Sequence, residues 1–146
     1  MDPKHAKAIL DRLHRAQNAM YSGGDVKRVE ALLTEDIEWH VPGQNAIAGD
    51  YTGIVEVTDY FRRRRELSGD SLQLHPGEML IGEVEHVAVL TDGSATLKGV
   101  QHRWSTVGLY RLRGERIAAC WLLALDQEAF DEAWGRVSRL RRMPGE

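Results

Sequence analysis

Two hydrophobic periods divide this chain, and the point where one gives way to the other decides what it can fold into. Ala6, Ile9, Leu10, Leu13, Ala16 and Met20 recur at steps of three and four, which marks the buried face of a first helix. The Ser22-Gly23-Gly24-Asp25 turn ends it, with a glycine for the left-handed cap and Asp25 to cap a second helix that buries Val26, Val29, Leu32 and Leu33. A strand over 36–41 turns Ile37, Trp39 and Val41 to one side and stops at Pro42-Gly43. A third helix over 54–67 carries Ile54, Val57, Tyr60 and Phe61 inward. Beyond Gly69-Asp70 the signal becomes a run of strands. One breaks at Pro76-Gly77, hairpin turns are read at Asp92-Gly93 and at Arg113-Gly114-Glu115, and a closing helix over 127–140 puts Phe130, Trp134 and Val137 inside. Helices segregated from a meander of strands give an α+β domain, helices packed on one face of a curved antiparallel sheet. A sheet that wraps around helices forms a cone, and a cone encloses a pocket.

Length and charge narrow the function classes. The 146 residues make one domain, with a core over about 6–140 and no need of disulfides or metals. A formal net charge of −3 gives no general attraction to nucleic acid or to an anionic membrane. No run of apolar residues is long enough to span a bilayer, and the first twenty residues are too polar for a secretory signal. Cys120 stands alone, so an internal disulfide is excluded and a reducing cytoplasm is the expected home. No metal-ligand spacing, glycine-rich phosphate loop or dinucleotide fingerprint is present, and the expected protein works without a cofactor.

Four stretches carry a likeness to a known family: YSGGDVKRVEALLTEDIEWHVPG (21–43), AGDYTGIVEVTDYF (48–61), VGLYRLRGERIAACW (107–121) and LDQEAFDEAW (125–134). Together they resemble the SnoaL-like polyketide cyclases and relatives of the nuclear transport factor 2-like superfamily, over His14 to Val137. The resemblance implies a cone-shaped α+β barrel, a homodimer and a deep apolar pocket. Members include ketosteroid isomerase, limonene epoxide hydrolase, polyketide cyclases and non-catalytic association domains, so the fold does not fix the chemistry.

The functional residues of those relatives are not matched here. Aligned on ketosteroid isomerase, the oxyanion-hole tyrosine falls on Gln17, the aspartate base on Val41 and the protonated aspartate on Gly108. Val41 and Gly108 supply neither base nor donor, which disfavours enolisation by that mechanism. The water-activating aspartate of the epoxide hydrolase falls on Leu123.

Geometry supplies the remaining candidates. If Gly108 faces inward, period two sends Val100, His102, Trp104, Thr106 and Tyr110 the same way, and Ile117, Ala119, Trp121, Leu123 and Leu125 match them on the last strand. A bulge would shift that register. The expected ligand contacts are Trp39, Val41, Tyr60, Trp104, Thr106, Trp121 and Leu123; the candidates for polarising a carbonyl or moving a proton are His102, Gln17 and Asp126. Each also has a plainer role: His102 as a core histidine, the tryptophans as packing, Asp126 as the N-cap of the closing helix. The run Arg62–Arg65 reads as a solvated helix face, Cys120 as pointing away from the pocket, and His40 as facing out. Gln44, Asn45, Asp50 and Tyr51 are placed in a loop near the mouth of the cone.

The expected function is a cofactor-independent cyclase or isomerase acting on a hydrophobic polyketide- or terpenoid-like molecule, mainly by holding it in a reactive conformer. The alternatives are a non-catalytic binding or dimerisation module and an epoxide hydrolase-like hydration.

Overall fold

The computed structural model describes residues 2–82 and 85–137. Its elements run α1 (Pro3–Tyr21), α2 (Lys27–Glu30), β1 (Leu33–Val41), β2 (Gly49–Thr52), α3 (Gly53–Ser68), β3 (Gln73–Ile81), β4 (His86–Leu97), β5 (Val100–Arg113), β6 (Arg116–Ala124) and α4 (Gln127–Trp134). The six strands form one sheet in the order β2-β1-β6-β5-β4-β3. Every pairing is antiparallel except that of β1 with β6. The sheet is curved and unclosed, and α1 and α3 lie in its hollow, as the two hydrophobic periods require of an α+β chain. None of the described helices is long and apolar enough to cross a membrane.

The core is the meeting of the helical stripes with one face of the sheet. Ile9, Leu10 and Leu13 of α1 and Val57 and Phe61 of α3 are wholly buried against Ile37, Trp39, Val87 and Val89. Trp39 is the hub, with Phe61 edge-on at 4.9 Å and Tyr110 edge-on at 6.0 Å between centroids.

Several elements differ from the sequence reading. Leu33 opens β1 instead of closing the second helix, which is a single turn. Asp50 and Tyr51 belong to β2, a short edge strand on β1, not to a loop. Asp92-Gly93 is no turn: both residues sit inside β4, opposite Ser105 and Trp104. The Trp104 indole occupies the space a Cβ on Gly93 would need, so the glycine is there for close packing. The true β4–β5 turn is Lys98-Gly99, both at positive φ (50° and 78°), the geometry of a tight two-residue hairpin. The turn at Gly114-Glu115 stands as read, flanked by the Arg113–Arg116 pair.

The closing helix stops at Trp134, where Gly135 takes φ 94°. Phe130 and Trp134 are buried, Val137 is half-buried beyond the helix, and the expected continuation over 138–140 lies outside the described residues. The loop after β1 holds α4 in place. Asn45 Nδ2 donates to the buried Asp131 carboxylate at 2.7 Å, Gln127 Nε2 donates to the same oxygen at 2.9 Å, and Asn45 Oδ1 accepts from Ile47 N.

Candidate functional site

The inward stripe of α3 does not end at Phe61. It continues to Arg64 and Ser68 at the same helical steps, so one arginine of the 62–65 run points into the cone. Arg62 and Arg63 remain exposed and Arg65 bonds Asp70, whereas Arg64 is only 3 % exposed. Its Nη1 donates to the Tyr21 hydroxyl at 3.0 Å. Its guanidinium carbon lies 5.2, 5.3 and 5.7 Å from the ring centres of Tyr21, Tyr60 and Trp134. Among the described residues no carboxylate pairs with it, and its Nε has no partner.

Among the described residues the one other buried charge is Asp131, which is held by the amides of Asn45 and Gln127 and not by Arg64. Burial pushes the hydroxyls of Tyr21, Tyr60 and Tyr110 and the Cys120 thiol upward, so all four are neutral near pH 7. A guanidinium does not lose its proton in a protein. Arg64 is therefore a buried cation without an ion-pair partner among the described residues, an arrangement that costs several kcal/mol unless something offsets it.

His14 is the second ionisable group of the interior. It lies on α1, 2 % exposed, and burial lowers its pKa below the usual 6.5 against the raising effects of the Leu10 carbonyl and Asp11. Its Nδ1 lies 2.7 Å from Leu10 O. A carbonyl can only accept, so Nδ1 carries the proton and Nε2 holds the lone pair. The ring meets Tyr110 edge-on at 6.1 Å.

His14, Gln17, Trp39, Arg64, Trp104 and Thr106 share one internal void of about 20 Å³, room for about one water molecule. The deep pocket that the family resemblance implies is nearly filled by side chains. Gln17 Oε1, Trp39 Nε1, Tyr60 Oη and Trp134 Nε1 are buried without partners among the described residues, an unusual density of unpaired polar atoms for one core.

The expected ligand-contact residues divide between the two faces of the sheet. Trp39, Trp104 and Thr106 line the void; Val41 and Tyr60 are buried on the same side without lining it. Trp121 and Leu123 are on the opposite, outer face, which corrects the register expected for the last strand. The cause is a bulge: Leu112 pairs with Ile117 but Arg111 with Ala119, leaving Ala118 as the extra residue. Beyond it the inward positions are Cys120, Leu122 and Ala124, so Cys120 sits beside Tyr110 in the core and does not point away.

Among the acid–base candidates, Gln17 is in the void, but His102 and Asp126 are not. His102 is half-exposed near the end of β5, opposite Ala95. Asp126 is exposed and caps α4, accepting from Ala129 N at 3.1 Å. The residues the sequence reading missed are Arg64 and His14. Both were accessible to it: each sits one helical step from an apolar residue already assigned inward, Arg64 after Phe61 and His14 after Leu10.

On the outer face His40 stacks on Trp121 (5.4 Å, 16° between planes), with Nδ1 2.8 Å from the Asp50 carboxylate. The cross-strand row Leu80, Ala88, Leu109, Trp121, His40, Asp50 runs across all six strands.

Comparison with known proteins agrees with the architecture. A structure of Bal32a from a soil-derived mobile gene cassette superposes with a TM-score of 0.78 at 23 % identity, over 89 % of this chain and 98 % of that one. An NTF2-like protein of Burkholderia xenovorans gives 0.74 at 21 % identity, over 92 % and 99 %. TerC co-crystallised with polyporic acid gives 0.71 at 18 % identity, over 88 % and 97 %. No curated protein matches the sequence. The model of the SnoaL-like domain matches residues 14–120, and the chain belongs to that family, with an NTF2-like fold.

Proposed function

We propose that the cone interior is a small-molecule site with cofactor-independent cyclase or isomerase chemistry on a hydrophobic, polyketide- or terpenoid-like compound. The observation that carries the reading is the neutral His14, its Nδ1–H held by Leu10 and its Nε2 free, in the same void as the unpaired N–H of Trp39. His14 Nε2 would take a proton from the carbon next to a carbonyl. The electron pair moves to the carbonyl oxygen, which accepts a hydrogen bond from Trp39 Nε1. In an isomerisation the imidazolium returns the proton to another carbon of the conjugated enolate. In a cyclisation the enolate carbon attacks a second carbonyl and the imidazolium protonates the new alkoxide. A histidine whose basicity is reduced by burial suits an acidic carbon flanked by two carbonyls, as polyketide-like chains carry.

The test is exchange of substrate carbon-bound hydrogen in deuterated water, followed by NMR over a panel of apolar 1,3-dicarbonyl compounds. Wild-type protein should catalyse exchange and His14→Gln should not. Binding without exchange would leave the rival reading, a non-catalytic binding module, which the small size of the void favours.

A homodimer through the outer sheet face is part of the same proposal. Leu90, Val107 and Leu123 form an apolar cross-strand row there, Leu123 43 % exposed, next to Leu125 at 65 %.

A further inference from the structure

We propose that the molecule bound in the cone is an organic monoanion, an aromatic or apolar carboxylate whose charged end pairs with Arg64. The inference rests on the small-molecule reading above and names the ligand's charge, which that reading leaves open.

The guanidinium fork of Arg64 is only partly occupied. Nη1 of Arg64 is occupied by the Tyr21 hydroxyl, and the Nε–H is unpaired. Nη2 lies on the same edge of the guanidinium as Nε–H and makes no hydrogen bond among the described residues, so a complete side-on edge is free. Two parallel N–H donors at that spacing match the two oxygens of a carboxylate.

The charge count limits the anion. Arg64 is the one cationic side chain of the void, since His14 is kept neutral by burial and Arg62 and Arg63 are exposed. No carboxylate lines the void, so one bound carboxylate would neutralise its lining. A phosphate monoester would leave an uncompensated negative charge in the same low-dielectric site, so a dianion is disfavoured.

The surroundings describe the rest of the ligand. Rings of Tyr21, Tyr60 and Trp134 surround the guanidinium, and Trp39 and Trp104 line the void beside it. Flat aromatic surfaces favour a flat apolar body. The void is smaller than such an acid, so the body takes space that side chains fill in this structure. Neutralising the buried charge is what drives that exchange.

The experiment compares benzoate, phenylacetate and cinnamate with their primary amides, by quenching of the interior tryptophans on the intact chain. The acids should bind at least tenfold tighter than the amides of the same shape. Arg64→Met should abolish that preference, and Arg64→Lys should retain part of it. Equal binding of acids and amides by the wild-type protein overturns the charge assignment and leaves the small-molecule site standing. If neither series binds at millimolar concentration, both readings fall. The wild-type comparison decides the matter even if Arg64→Met does not fold.

Discussion

Arg64 Nη1 donates to the hydroxyl of Tyr21 at 3.0 Å, and this is the one hydrogen bond its guanidinium makes among the described residues. A buried cation so thinly held is a liability to the fold. Replacing it by methionine removes the charge and nearly keeps the volume; for buried ion pairs such replacement ranges from neutral to stabilising by about 1–4 kcal/mol, and here no partner is left unpaired as an ion. The Tyr21 hydroxyl left behind costs about 1 kcal/mol or more. Arg64→Met is therefore expected to raise Tm in thermal denaturation, and Arg64→Met with Tyr21→Phe to raise it further. A fall in Tm for both would mean that Arg64 holds the core together.

The interior histidine gives stability a pH dependence of known sign. Burial keeps the His14 pKa below 6.5 in the folded chain, while the unfolded chain takes up a proton near 6.5. Below that value the unfolded state binds more protons, so His14 lowers stability as pH falls from 6.5 toward its folded pKa. Asp11, on the same helix, opposes the shift, and Arg64 of the shared void adds a like charge to a protonated ring. Denaturant titrations should show a loss between neutral and mildly acid pH in the wild type that is reduced in His14→Gln.

Gly93 has a packing role that a substitution should expose. A side chain there would meet the Trp104 indole, so Gly93→Val should destabilise by about 1–3 kcal/mol. The same change at Gly99 would strain a surface turn but leave the Trp104 environment intact, which near-UV circular dichroism distinguishes.

Asp126→Ala tests capping against chemistry. Loss of the bond to Ala129 N should cost about 0.5–2 kcal/mol, with binding in the cone and any hydrogen exchange unchanged. Lost turnover in a variant that still binds ligand would instead bring Asp126 to the substrate.

Leu123→Glu places a charge at the β6 end of the outer apolar row. Sedimentation should show a dimer for the wild type and a monomer for the variant, with ligand binding in the cone retained. A monomeric wild type removes the dimer.

The helices and the overall layering were legible because burial follows a fixed step. Ile9, Leu13, Val57 and Phe61 are where the three-and-four spacing puts them. Arg64 obeys the same spacing, yet a run of four arginines reads as a solvated face because charge is weighed before position. The strand register was less accessible. Nothing in Ile117-Ala118-Ala119 marks which small residue will be left unpaired, since the bulge is chosen by how β6 bends onto β5 and β1. Asp92-Gly93 carried a genuine turn signature, and it lost to the demand of a tryptophan on the neighbouring strand for an empty position.

The extra residue at Ala118 sets the phase of everything after it. With it, β6 gives Leu122 to the void and Trp121 to the outer row; without it, the two would trade places along with Cys120 and Leu123. The interior surface and the exterior surface of this sheet are thus two readings of one strand. A one-residue deletion there would rewrite both at once, so the lining of the cone and the outer face of the sheet share a single structural frame.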